Sequence, residues 1–290
     1  MYITTHNRSD WTIAILSHKR PEALASKTLS CLSRHNIPIE KINVFVAPEQ
    51  VADYKRTCPG VNIIPTAVGK CNNRSAALAY YPLGQKIIFM DDDVEEFYSV
   101  CAQDGCLTCW KFGKEARGGP DYKKQMTCAN LSAFFYDAFS IAEKEGVEFW
   151  GIYPVDNGFF ASHSITTYLS HCIGRCYGQV NSEAGRTLNA AIVDDIHDDY
   201  QTSLRYFLKD GKCLRFNYIF TKSPVVRGSG GIVDTRTTAN TEEVSKRLAA
   251  TWPEHVLLVS PGTSTTVGKF WDIKLRRKGD KTKLTPPKTQ

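Results

Sequence analysis

Four short apolar runs rich in branched residues, TIAILS (12–17), INVFVA (42–47), VNIIP (61–65) and KIIFM (86–90), alternate with stretches of helical spacing. This alternation constrains the fold more than any other feature, because short, mainly apolar runs rich in branched residues read as strands. Between the first two lies RPEALASKTLSCLSRHN, where Pro21 suits a helix start and Leu24, Thr28, Leu29 and Leu32 recur at helical intervals. PEQVADYKRT and NNRSAALAYY fill the next two gaps. The resulting β-α-β-α-β-α-β order predicts an α/β protein built on a doubly wound, mostly parallel sheet flanked by helices. Ligands of such sheets lie beyond the carboxyl ends of the strands, so the residues that follow each run are where chemistry is expected.

After residue 95 the pattern weakens. A Gly, Lys and Cys-rich stretch from Gln103 to Lys124 reads as a surface insertion, and helical periodicity returns in LSAFFYDAFSIAEKEG. A short run, FWGIYPVDNGFF, precedes DDYQTSLRYFLKDGKCLRF, in which Gly211 suits a helix C-cap before a strand. No stretch between residues 1 and 270 has the composition of a linker, so a single domain over 1–268 is expected, followed by a basic tail over 269–290. That tail holds eight Lys or Arg against two Asp, which equals the whole net charge of +6 and leaves the preceding body neutral. A polyanion is its expected partner. No run of about eighteen apolar residues appears, and the first ten residues lack the apolar stretch of a secretory signal, so a cytoplasmic protein without a membrane partner is expected. The ten cysteines, irregularly spaced, suit reduced thiols.

The sharpest chemical feature is IIFMDDDVEEF, in which Asp91, Asp92 and Asp93 emerge directly from an apolar strand. Three adjacent carboxylates repel one another unless a cation offsets them, and hard divalent ions such as Mg²⁺ or Mn²⁺ take carboxylate together with phosphate oxygen. Side chains alternate in extended backbone, which would let Asp91 and Asp93 share a metal while Asp92 points the other way.

An apolar strand ending in an Asp-x-Asp motif after three β-α units resembles the GT-A glycosyltransferase fold, and other segments agree in order. ILSHKRP is similar to the first-strand loop that contacts the nucleotide in that family, which places Ser17 and Arg20 there. GKCNNRSAAL resembles its helix start toward the donor pyrophosphate, with Asn73 and Arg74 as matching residues and Lys70 nearby. DDYQTSLRYF is similar to its acceptor-side acidic helix, which puts Asp199, and next Asp198, in the role of catalytic base. The Asp triplet, WGIYPVDNGFF and GSGGIVDTR look most like the TET/JBP-associated, phage-type glycosyltransferases that modify hydroxymethylated pyrimidines in DNA. The resemblance implies a UDP-sugar donor, with glucose as the expected sugar, held by Ser17, Arg20, Asn73, Arg74, Asp91 and Asp92, with Mn²⁺ or Mg²⁺ on Asp93 and Asp91. It further implies an acceptor hydroxyl on 5-hydroxymethylcytosine or 5-hydroxymethyluracil in double-stranded DNA. A glycan or protein acceptor, or a nucleic-acid-binding module without turnover, are the other readings.

For a DNA acceptor, Lys274, Arg276, Arg277 and Lys278 are candidates to neutralise phosphates, and Arg236 to bind an anion. Trp150 and Tyr153 are candidates to stack on an exposed base, although aromatics of this kind more often fill a core. Cys106 and Cys109 form a single CxxC pair, which falls short of a zinc finger's paired knuckles.

Overall fold

The computed structural model describes residues 11–99, 128, 130–156, 161–162, 164–172, 174–223, 237–259 and 271–276. The four apolar runs form strands β1 (Trp11–Leu16), β2 (Ile42–Val46), β3 (Asn62–Pro65) and β4 (Lys86–Met90). They pair in parallel in the order β3-β2-β1-β4. The sheet continues through β8 (Cys176–Val180), β6 (Phe149–Tyr153), β9 (Leu214–Lys222) and β5 (Glu96–Ser99), with β7 (Ile165–Thr166) beside β9. β8 runs antiparallel between β4 and β6, and β5 and β7 run antiparallel to β9. The mostly parallel α/β sheet expected from the alternation is therefore present.

Both faces of β1, β2 and β4 are largely buried, which explains why those runs carry no polar period, while β3 lies at the sheet edge and is partly exposed. Ile13, Ile15, Val44, Val46, Ile88 and Met90 pack on one face, while Ala14, Phe45, Ile87 and Phe89 pack on the other. The first face is covered by a helix of three continuous stretches, α-helical Pro21–Ala23, π-helical Leu24–Leu29 and α-helical Ser30–Arg34, together with the Leu131–Glu145 helix. The Lys70–Tyr80 helix contributes Ala77 and Leu78 to the second face, and the Asp198–Asp210 helix contributes Tyr206. Local signals end these helices where expected: Gly146 and Gly211 both adopt the left-handed conformation, at φ 69° and 68°.

The chain divides into two compact units, Met1–Thr237 and Thr238–Gln290. In the second, the Thr238–Thr251 helix is followed by β10 (Val256–Val259), which pairs antiparallel with β11 (Asp272–Leu275). The expected boundary between 268 and 269 lies inside this unit, and the basic segment contributes one of its strands. Among the described residues no helix is long and apolar enough to cross a membrane.

Trp150 corrects one expectation from the sequence. Its side chain is fully buried, packed edge-on against Phe134, Phe139 and Phe216, so it has no face on which a base could stack. Tyr153, 9% exposed, belongs to a small apolar cluster with Phe220. Gly178 lies directly opposite Trp150 in the β6/β8 register, and its missing side chain makes room for the indole. A Cβ at Gly178 would sit 2.1 Å from Trp150 Cε2. Gly178→Ala is therefore expected to destabilise the fold by about 3 kcal/mol, measured by urea unfolding. An unchanged midpoint would show that the indole has room to shift.

Candidate functional site

β1, β2 and β4 are parallel, so their carboxyl ends open on one edge of the sheet, and the segments following them meet there. The segment after β1 is clamped from the second β-α unit. Ser17 Oγ lies 2.6 Å from the Tyr54 hydroxyl, Arg20 N donates to that hydroxyl at 3.0 Å, and Lys19 N donates to Gln50 Oε1 at 2.8 Å. Lys19 takes a positive φ of 56° at this bend. The loop is thereby fixed before any ligand arrives.

Asp92 is the strut that ties this loop to the acidic turn. Its carboxylate accepts from Ser17 Oγ at 2.5 Å on one oxygen and faces Arg20 at 2.9 Å on the other, and the residue is 1% exposed. Burial pushes its carboxyl up to about 6, with Arg20 and the Ser17 bond working against that rise. Asp92 was expected to touch the donor, but both its oxygens are engaged inside the protein. The turn is also held from below, because Thr28 Oγ1 donates to Asp91 O and accepts from Val94 N, each at 2.9 Å. Thr28 lies in the π-helical stretch, a deviation that recurs where a helix must aim a particular side chain.

A cleft of about 270 Å³ lies against this edge, and Ser17, Arg20, Lys70, Asn73, Arg74 and Asp91 all line it. The sequence separated these residues into three motifs, and the fold brings them together. Asn73 is 7% exposed and spends its amide on the scaffold: its Nδ2 donates to Phe45 O at 3.2 Å, and its Oδ1 accepts from Thr66 at 2.7 Å. Its place is to position the helix that carries Lys70 and Arg74. Asp195, which sequence reasoning missed, accepts from Lys70 N at 3.1 Å and Cys71 N at 2.8 Å, capping that helix.

Asp198 and Asp199 are neighbours on one helix, and about 100° of helical rotation sends their side chains to different partners. Asp198, 3% exposed, is held between two cations, Lys70 Nζ at 3.0 Å and the Arg74 guanidinium at 2.5 Å. Removing either partner would leave buried charge less well compensated, so this carboxylate serves to orient the two cations. Asp199 faces His171, whose Nε2 lies 3.1 Å from Oδ2, and both side chains are about one-fifth exposed, at 20% and 21%. The His171 ring stacks on Tyr200 with centroids 3.9 Å apart. Burial alone would raise the Asp199 carboxyl, but His171, with Lys70 and His197, holds it well below the usual carboxylate range. His171 was also missed as a partner of this acid.

Two aspartates line the cleft: Asp195, whose oxygens are taken by the helix start at Lys70 and Cys71, and Asp91. Burial pushes Asp91 up to about 7; Lys70 opposes the rise, while Asp93, Asp92 and Asp198 add repulsion. An under-compensated carboxylate beside two cations suits a hard divalent ion that brings phosphate oxygen with it, so the residues fit the metal that the triplet suggested. Asp93, with its side chain 17% exposed and 3.6 Å from Arg20, is not part of the cleft lining. Lys274 is exposed on β11 of the second unit, where Arg276 Nε donates to Pro253 O at 3.0 Å. Arg236, Arg277 and Lys278, like Cys106, Cys109 and the GSGGIVDTR segment, lie outside the described residues.

Asp91 gives a stability test. Its folded-state value lies above the ordinary 3.8, so a proton favours the folded form: the penalty is absent at low pH, grows up to about 7 and is complete above it. Each pK unit is worth about 1.4 kcal/mol, a figure to discount for partial exposure. Above that pH, Asp91→Asn is expected to stabilise the metal-free protein by roughly 1–2 kcal/mol in thermal or urea unfolding. A destabilised variant would show that the charge is compensated in the free protein.

No protein-family model matches the chain, and no curated protein does. Among solved structures it is similar to TarS 1-349 of S. aureus in complex with UDP-GlcNAc, at 11% identity and TM-score 0.47 over 83% of this chain and 66% of that one. It is similar also to the mannosyltransferase PcManGT of Pyrobaculum calidifontis in complex with GDP-Man and Mn²⁺, at 12% identity and TM-score 0.45 over 88% and 67%. A third similar structure is 4-diphosphocytidyl-2C-methyl-D-erythritol synthase of Anaerococcus prevotii, at 9% identity and TM-score 0.42 over 76% and 94%. This chain spans just under two thirds of the TarS fragment's length. Likeness at this level concerns the path of the chain and says nothing of donor or acceptor.

Proposed function

We propose that this chain is a metal-dependent glycosyltransferase of GT-A type that moves a sugar, glucose on our reading, from a UDP-sugar to the hydroxymethyl group of 5-hydroxymethylcytosine or 5-hydroxymethyluracil in DNA. One arrangement carries the reading: a carboxylate, Asp91, and two oriented cations, Lys70 and Arg74, line the same cleft as the clamped Ser17–Arg20 loop, at the carboxyl edge of a parallel sheet. The acceptor class rests on the sequence resemblance in the Asp triplet, WGIYPVDNGFF and GSGGIVDTR, and on the basic segment 269–290.

The chemistry follows from charge. Transfer breaks the bond between the anomeric carbon and the diphosphate oxygen, which leaves with the electron pair, so negative charge grows on the departing phosphates. Lys70 and Arg74 are held by Asp198 where they can meet that charge without reorganising. A divalent ion on Asp91 would supply further positive charge in the cleft, with Asp93, outside the cleft lining, as the second ligand the sequence suggests. The acceptor oxygen attacks the anomeric carbon, and its proton passes to a carboxylate as the bond forms. Asp199 has that role because it stays ionised beside His171 and is partly exposed, whereas Asp198 is spent on the cations.

Two experiments test the proposal. Incubated with radiolabelled UDP-glucose and Mn²⁺, the protein is expected to label DNA containing hydroxymethylated pyrimidines and leave unmodified DNA unlabelled; labelling of a glycan or of protein instead would assign the other acceptor class. Asp199→Asn is expected to lower turnover by about 10²–10⁴-fold while UDP affinity stays within about twofold. Unchanged turnover removes Asp199 from the mechanism.

A further inference from the structure

Away from the cleft, Cys31, His35 and Glu96 bring a thiol sulfur, an imidazole nitrogen and a carboxylate oxygen within 4.8 Å of one another. Cys31 and His35 share a face because they are four residues apart at the end of the first helix, with His35 at its C-cap. Glu96 reaches them from the start of β5. His35 Nε2 lies 2.7 Å from Glu96 Oε1, and Cys31 Sγ lies 3.9 Å from the same oxygen. Cys31 is fully buried and the His35 side chain is 4% exposed, so these are placed groups and not a chance meeting of surface residues.

We propose that Cys31, His35 and Glu96 form a zinc-binding site that braces the acidic turn of the cleft. The donor set decides the metal: thiolate sulfur with imidazole nitrogen suits Zn²⁺, while Mg²⁺ and Mn²⁺ keep to oxygen. Charge agrees, since Cys31 as thiolate and Glu96 as carboxylate balance a dication while His35 stays neutral, and the Cys31 proton leaves to solvent on binding. Three protein ligands leave the fourth tetrahedral corner for water. Among the described residues the Arg34 guanidinium competes for Glu96, its NH2 lying 3.3 Å from Oε2; the side chain is 49% exposed and also donates to Ser30 Oγ and Glu95 O, so it keeps hydrogen-bond partners when a metal takes Glu96. Placement gives the site its role. Glu96 follows Asp93 by three residues, and the helix bearing Cys31 and His35 also bears Thr28, which grips Asp91 and Val94. Zinc here would pin both sides of the turn, whether or not the cleft transfers sugars.

The test uses the full chain, stripped with chelator and titrated with cobalt(II) chloride in the absence of nucleotide. The site predicts one equivalent of cobalt bound with a near-ultraviolet thiolate-to-cobalt charge-transfer band, displaced by zinc. The oxygen donors of Asp91 and Asp93 give no such band, so Asp91→Asn is expected to retain it, which separates this site from the metal of the proposed reaction. Cys31→Ser is expected to abolish the band, and His35→Ala to weaken cobalt binding at least about tenfold. Should Cys31→Ser not fold, Glu96→Gln carries the test, because its side-chain oxygen can still accept from Phe97 N; its cobalt affinity is expected to fall at least about tenfold. No band in the folded wild-type protein, a band that survives Cys31→Ser, or undiminished affinity in Glu96→Gln would overturn the proposal.

Discussion

The arrangement of the cleft depends on one buried carboxylate shared by two cations. Asp198 accepts from Lys70 and Arg74 at once, and in doing so joins the helix after β3 to the helix before β9. Such a cluster is weak evidence for stability, because desolvating three charges offsets much of their attraction. What it does secure is direction. Lys70 and Arg74 are long, flexible side chains that would otherwise sample many rotamers, and a common anchor fixes where their positive charge is presented. Two cations against one anion leave a surplus that faces the cleft, and Asp91 lies close enough to Lys70 for each to shift the other.

The acidic turn is built by the same logic of division of labour. Asp92 goes inward as the strut to Ser17 and Arg20, which leaves Asp91 to line the open space. Three adjacent acids are tolerated because each meets a different environment: Asp91 meets Lys70's charge, Asp92 is bonded inside the protein, and Asp93 keeps partial exposure beside Arg20. The turn is bracketed by Thr28 and clamped through Tyr54, so its geometry is settled by packing before any ligand enters. This is the preorganisation that a site stabilising developing charge requires.

Local signals made the regular elements legible. Pro21 at the helix start, the buried runs and Gly211 at a left-handed C-cap each act within a few residues, where periodicity and turn chemistry are informative. The cleft residues Ser17, Arg20, Lys70, Arg74 and Asp91 were legible because each follows a strand or opens a helix at the same edge. Contacts between distant segments were not. Nothing near residue 195 announces that its carboxylate caps the helix at Lys70 and Cys71, and nothing near Trp150 announces that Gly178 will lie across from it. The division of labour between Asp198 and Asp199 likewise follows from which side of one helix meets Arg74 and which meets His171, a matter of packing that no spacing encodes.

On the proposed function, Asp91 holds a divalent ion which, with Lys70 and Arg74, receives a nucleotide diphosphate. Calorimetric titration of uridine diphosphate into the folded protein, with and without Mn²⁺, tests it most directly. Saturable binding is expected that tightens when Mn²⁺ is present and loses that dependence in Asp91→Asn. Equal uptake with and without the metal in the wild-type protein, or no uptake at all, would contradict it.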